Sequence, residues 1–249
     1  MAAALSNTAI VTMESFDPSK LSFGEPETLK LQSASMNKIP IKYEGKDLVI
    51  QTPVFQRCTV RTFDKKNEND KGATVMYQSI QYQDEEDYAQ KVIEGLSDAV
   101  KSHVRQNVRS LFNRKKDNMT DLSFSSHIQE PKDYCASIKT VVPTVGKDGA
   151  KPAGSVRFYR DSTEELTTEE FTDILADSKK TVSARALISV PYAYTLSTKG
   201  YGFKTFLCTL DLKEKPEGVA PVADGDKLSK EGSSSAGSNA IPMLGNAFL

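Results

Sequence analysis

Apolar residues recur along this chain with two different periods, and the switches between them mark out its elements. Over residues 38 to 56 (KIPIKYEGKDLVIQTPVFQ) Ile39, Ile41 and Tyr43 alternate with polar neighbours, the period of a half-buried strand. Glu44 to Asp47 turns the chain, and Leu48 to Thr52 supplies a returning strand. Residues 57 to 63 (RCTVRTF) and 74 to 82 (TVMYQSIQY) read as a second pair across the polar loop 64 to 73. From about 85 to 113 the period changes. Tyr88, Val92, Leu96, Val100, Val104, Val108 and Leu111 recur at three- and four-residue steps, which predicts one long amphipathic helix. Strands are predicted again at 134 to 143 and 155 to 160, joined by the glycine-rich stretch TVGKDGAKPAG. A short helix near 168 to 177 opens on the capping pair Thr167 and Glu170, and two long strands follow at 181 to 196 and 201 to 213.

This order predicts a mainly β, α+β protein: an antiparallel sheet or small barrel with helices packed outside, and no βαβ alternation. Residues 1 to 35 show little periodicity and read as an N-terminal arm, with a short strand near Thr28 to Leu31. A β-rich domain is expected over 36 to 215. Residues 216 to 249 are rich in Gly, Ser, Ala and Pro, and read as a disordered tail. The tail's last ten residues include Ile241, Met243, Leu244, Phe248 and Leu249, either a frayed end or a short docking peptide.

Composition narrows the chemistry. The net charge of the 249 residues is -1, so any attraction to a polyanion must come from local clustering rather than a global field. No run of apolar residues is long enough to span a membrane, and the N-terminus lacks a basic stretch ahead of its apolar one, so a secreted protein is not expected. The three cysteines Cys58, Cys135 and Cys208 are widely spaced and read as free thiols of an intracellular protein. The two histidines, His103 and His127, stand in no catalytic or zinc-binding spacing, and no phosphate-binding or dinucleotide-binding loop is present. Asp84 to Asp87 could bind a cation, but they precede the long helix and Arg105, Arg109, Arg114, Lys115 and Lys116 end it, so dipole complementarity accounts for both groups. The expectation is a protein with no cofactor, no metal and no catalytic activity.

What remains is rings and cations interleaved on predicted strands. Lys42 flanks Tyr43, Arg57 and Arg61 share one face of their strand, and Arg157 and Arg160 bracket Phe158 and Tyr159. Tyr192 and Tyr194 share a face, and the last strand carries Tyr201, Phe203 and Phe206 beside Lys199 and Lys204. Binding unpaired nucleic acid needs this combination, rings on which bases stack and cations that follow the phosphates. Aromatics at period two also serve as core, with neighbouring lysines as its solvated edge, so pattern alone leaves both readings open.

Two blocks carry a resemblance. Ile39 to Pro53 (IPIKYEGKDLVIQTP) and Lys199-Gly200-Tyr201-Gly202-Phe203-Lys204 resemble the single-stranded-DNA-binding proteins of large eukaryotic DNA viruses, which are similar to the OB-fold single-stranded-DNA-binding protein of T7-like phages. The resemblance runs over about residues 15 to 215. It implies an OB-like antiparallel barrel with an inserted helix, and non-catalytic coating of single-stranded DNA during viral DNA replication or repair, inside the host cell. Under that reading Tyr192, Tyr194, Tyr201 and Phe203 are the stacking platforms, and Arg57, Arg61, Arg157, Lys199 and Lys204 meet phosphates. Replication proteins would dock on the tail through Phe248 and Leu249, and a homo-oligomer is compatible with it. Two features depart from the pattern: the chain has no tryptophan, and its tail is only weakly acidic. The alternative is a structural or assembly protein of the virion, a minor capsid or scaffold component.

Overall fold

A computed structural model describes residues 7–30, 34–63, 73–112, 119–130, 135–145, 151–152, 155–176 and 182–213. The expected tail over 216 to 249, with Phe248 and Leu249, lies outside the described residues, as do Arg114, Lys115 and Lys116.

The predicted hairpin is β4 (Ser35–Tyr43) and β5 (Lys46–Gln51). Its turn places Glu44 at φ 48° and Gly45 at φ 78°, the two consecutive left-handed residues of a tight hairpin whose twist matches its strands. Three strands precede it: β1 (Thr8–Val11), β2 (Leu21–Phe23) and β3 (Glu27–Lys30). β1 lies parallel to β5, while β2 and β3 pair with β4. The segment expected to be a loose arm is therefore part of the sheet. Phe16 anchors it, its ring buried beside Tyr43. Its strands are three or four residues long, too short to show a period.

β6 (Phe55–Phe63) and β7 (Ala73–Ser79) form the second expected pair. The long helix follows as α1 (Gln83–Tyr88), a π-helical stretch Ala89–Glu94, α2 (Gly95–Gln106) and, past Asn107, α3 (Val108–Phe112). Its buried stripe steps strictly by four: Tyr88, Val92, Leu96, Val100, Val104 and Val108, each 0% exposed. At ~3.6 residues per turn such a stripe drifts by about 40° per step. A π stretch turns less per residue and offsets the drift, and the break at Asn107 (φ -114°, ψ 17°) re-aims the last turn.

After the helix come β8 (Ser123–Phe124), β9 (Ile128–Gln129), β10 (Ser137–Val142), the small pair β11 (Thr144–Val145) and β12 (Lys151–Pro152), and the hairpin β13 (Arg157–Arg160) and β14 (Glu164–Leu166). Helix α4 (Thr168–Ala176) begins with the predicted cap, in which the Glu170 carboxylate accepts from the Thr167 backbone N–H at 2.8 Å. The chain closes on β15 (Val182–Leu196) and β16 (Gly200–Lys213).

The strands close a ring. β15 pairs with β6, β6 with β7, β7 with β10, β10 with β16, and β16 again with β15. Four of these junctions are antiparallel, as expected, but β10 and β16 run parallel and meet only at Val141 and Phe206. Met76, Ile138, Phe203 and Leu207 fill the ring and belong to the same core as the helix stripe. The free edge of the hairpin extends the sheet, because β4 pairs with the end of β15 from Tyr192 to Leu196.

Candidate nucleic-acid interface

Register and alternation define which side chains share the outward face of the ring. Residues directly opposite each other on paired strands point the same way. Starting from β4, Lys38 faces Tyr194, which faces Gly202, and Pro40 faces Tyr192, which faces Lys204. Phe206 then faces Val141 on β10, Lys139 faces Tyr77 on β7, and Tyr77 faces Thr59 on β6, with Arg57 and Arg61 two residues to either side. Inward neighbours of these residues are the core: Ile39, Ala193, Phe203, Ile138, Met76 and Cys58 are each no more than 1% exposed.

The result is one band across six strands in which cations and rings interleave. The Lys38 ammonium lies 5.0 Å from the centre of the Tyr192 ring, Lys204 lies 5.1 Å from Tyr194, and the Arg61 guanidinium 5.9 Å from Tyr77. Tyr192 and Phe206 stand 6.3 Å apart. None of the outward positions on these six stretches is Asp or Glu; acids reach the same face only past its β4 end, where Glu27 on β3 stands opposite Lys38 and Asp47 on β5 pairs with Lys42. Lys38, Arg61, Lys139 and Lys204 form no ion pair with a described residue, whereas Lys20, Lys42, Lys101, Arg157, Arg160, Lys199 and Lys213 all do. Burial pushes the Tyr77 and Tyr192 hydroxyls above the ordinary phenol range, so neither adds negative charge to the band at neutral pH.

Two irregularities interrupt the β15–β16 pair farther from its turn. Ser189 faces Phe206 and Tyr192 faces Lys204, so Val190 and Pro191 oppose Thr205 alone. The bulge accommodates a proline that has no N–H to give the ladder. A second bulge leaves Cys208 unmatched between the pairs Leu187–Thr209 and Ile188–Leu207. Gly202 packs closely beneath Tyr194: a Cβ there would lie 3.1 Å from the Tyr194 hydroxyl and 3.2 Å from the Ser125 carbonyl, so either would have to shift by a few tenths of an ångström.

The expected site residues divide accordingly. Tyr192, Lys204, Arg57 and Arg61 come together on the band; Tyr194 shares its face but is buried, 8% exposed beneath Lys204, so it presents no open ring face for stacking. Tyr201 and Phe203 alternate to the inner side, 6% and 1% exposed, so neither presents an open ring face. Lys199 sits at the hairpin tip with φ 76°, ion-paired to Asp121 at 2.8 Å. Arg157 lies past the Cys208 bulge, paired to Glu165 at 2.9 Å, and the Phe158 ring beside it stacks on Phe171 of α4. In their place the structure brings in Lys38, Tyr77 and Lys139, and turns a half-buried Phe206 outward, a residue that stands among the hairpin rings but not among the expected stacking positions.

Between β10 and β16 the band opens into a recess of about 100 Å³, lined on one side by His127. The His127 ring stacks on Phe203, centroids 4.0 Å apart. Burial, with Lys204 and Lys139 nearby, lowers its pKa to about 4, so it is neutral at physiological pH. Among the described residues no three His, Cys, Asp or Glu side chains gather as a metal site, and no helix is long and apolar enough to cross a membrane.

No protein-family model and no curated protein matches the sequence. Among solved structures, the chain is similar to the single-stranded DNA binding protein encoded by bacteriophage T7. The two are 11% identical over 73% of this chain and 98% of the other, with a TM-score of 0.41. At that score the likeness bears on neither the fold nor the ligand of this chain.

Proposed function

We propose that the outward band is a surface for single-stranded DNA, and that the strand ring is a closed barrel of the OB type with the long helix inserted between its strands. One observation carries the reading: Lys38, Arg61, Lys139 and Lys204, none of them ion-paired to a described residue, alternate with rings across six strands, with Glu27 and the Lys42–Asp47 pair confined to the β3–β5 end of that face. Unpaired bases offer flat π-faces that Tyr192, Phe206 and Tyr77 can meet at about 1–3 kcal/mol per base, whatever the sequence. Lys38, Lys139, Lys204, Arg57 and Arg61 follow the phosphates. Six strands at ~4.8 Å spacing give a path of roughly 24 Å, enough for a site of about four nucleotides. Duplex DNA hides its base faces and would engage the cations alone. The role is binding without catalysis. Its setting, coating of strands during viral DNA replication or repair inside the host cell, comes from the sequence resemblance, as does docking of replication proteins on Phe248 and Leu249.

Fluorescence anisotropy with a labelled oligothymidylate tests the reading. Binding should be far stronger than to duplex and should weaken with salt, log K falling against log salt with a slope of about -3 for four neutralised phosphates. A flat titration at low salt would remove the proposal.

A further inference from the structure

β10 and β16 touch at a single residue pair, Val141 and Phe206, and then part. Beyond that pair the Thr205 hydroxyl reaches across, donating to the Lys139 carbonyl at 3.3 Å. Residues 125 to 129 fold over it: the Ser125 N–H donates to the Tyr201 carbonyl at 2.8 Å, and the Lys139 N–H to the His127 carbonyl at 3.0 Å. What remains is the recess of about 100 Å³, with Ser125, Ser126 and His127 of the β8–β9 loop on its rim and Lys139, Lys204 and Thr205 on its walls. Two ammonium groups thus approach one small polar space from opposite strands. His127 Nδ1 is buried and has no hydrogen-bond partner among the described residues.

We propose that this recess is an oxyanion subsite that receives a phosphate group between Lys139 and Lys204. The inference rests on the DNA-binding reading for the source of that phosphate, a backbone diester, but its chemistry is independent of it. Two cations without an acid select an anion, which argues against a metal ion. A base would need a free ring face, and the face of Phe203 turned to the recess already carries the His127 imidazole. The space equals about three waters at ~30 Å³ each, which suits a tetrahedral oxyanion displacing its own hydration. The hydroxyls of Ser125 and Ser126 add donors around it, and phosphate oxygens accept several such bonds.

Occupancy has a signature. The charged groups facing His127 are Lys204 from β16 and Lys139 from β10, and the Tyr194 hydroxyl on β15 lines the same space. An oxyanion between the lysines offsets their repulsion and gives a charged imidazole a partner. His127 therefore takes up a proton more readily when the recess is filled, and by linkage the anion binds more tightly as pH falls through the raised value. The chain has two histidines, and His103 stacks on Phe23 in the helix region at 4.2 Å, away from the band, so it serves as an internal control.

The experiment is an NMR pH titration of the two imidazole C–H signals in the full chain, alone and with three probes: oligothymidylate, an abasic deoxyribose-phosphate oligomer of the same length, and inorganic phosphate. The expected result is a rise of one unit or more in the His127 midpoint, a tenfold linkage, with both oligomers and no change at His103. A rise with inorganic phosphate alone keeps the oxyanion subsite but assigns it to free phosphate. A rise with oligothymidylate and not with the abasic oligomer would mean that the recess reads a base, and overturns the proposal. No rise with any probe overturns it as well. If anisotropy shows tight oligothymidylate binding in that case, the DNA-binding reading stands alone.

Discussion

Glu85 offers a severe test of how the helix is tied to the ring. Of the four acids at the helix start it is the one with its side chain fully buried. Its Oε1 accepts from the Gln56 N–H at 2.8 Å, and its Oε2 from the Gln81 and Tyr82 N–H groups at 2.6 and 3.0 Å. One carboxylate therefore joins the start of β6 to the first turn of α1. In Glu85→Gln an amide NH₂ must face at least one of these donors. The less costly orientation gives up the Gln56 bond, losing about 1.5–3 kcal/mol of a charge-assisted bond and leaving a buried N–H unmet. Relief from burying a charge offsets part of this, and a net loss of about 2 kcal/mol at neutral pH is expected. The pH dependence supplies the sign. Burial, outweighing the three donors, raises the Glu85 pKa above the ordinary carboxylate range. Its contribution is thus fully present below the unfolded carboxyl's pKa and is lost as pH rises through the folded value. The glutamine has no such titration, so the stability gap between the two proteins should be widest in acid. Urea unfolding followed by circular dichroism across pH 4 to 7.5 measures it. Equal stabilities at neutral pH, or a gap that widens as pH rises, would refute the reasoning.

Other expectations follow from single side chains. Tyr192→Ala and Phe206→Ala should each weaken oligothymidylate binding by about 1–3 kcal/mol in anisotropy, while the proteins stay folded, with unfolding free energies lower by about 1 kcal/mol for the half-buried ring removed. Arg157→Ala should leave affinity unchanged, since that cation is committed to Glu165 beyond the bulge. Gln78 is 0% exposed inside the ring, and neither atom of its amide has a partner among the described residues. Gln78→Met should therefore raise stability by about 1 kcal/mol in urea unfolding, and a loss of that size would show that the amide is satisfied after all.

How much of this was written in the sequence depends on the range over which each feature is decided. The helix is local: a stripe from Tyr88 to Val108 needs no knowledge of what covers it, although the π stretch that keeps it aligned does. The hairpin turn at Glu44 and Gly45 and the Thr167 cap are local too. The face of a strand is different. Alternation shows that Tyr192 and Tyr194 point the same way, and that Tyr201 and Phe203 do, but not that the two pairs point oppositely. That relation is fixed by the register of the hairpin turn, which sets Tyr194 opposite Gly202 and Thr195 opposite Tyr201. Lys38, Tyr77 and Lys139 escaped because each gains its meaning from a neighbour on another strand. Lys139 did carry a signal, standing between the buried Ile138 and Thr140 as an outward cation on a core strand. Within the expected arm over 1 to 35, the sheet pairing of residues 8–11 and 21–23 went unseen for a related reason: short strands pair with partners that periodicity does not reveal.

Photocrosslinking of oligothymidylate to the full chain, followed by identification of the modified peptides, tests the central claim most directly. Adducts are predicted at Tyr192, Phe206 and Tyr77, three rings from three strands that converge only on the outward face of the ring. Adducts confined to the Phe158–Tyr159 hairpin or to the helix would contradict it, because bound DNA would then lie on a face where the cations are already paired.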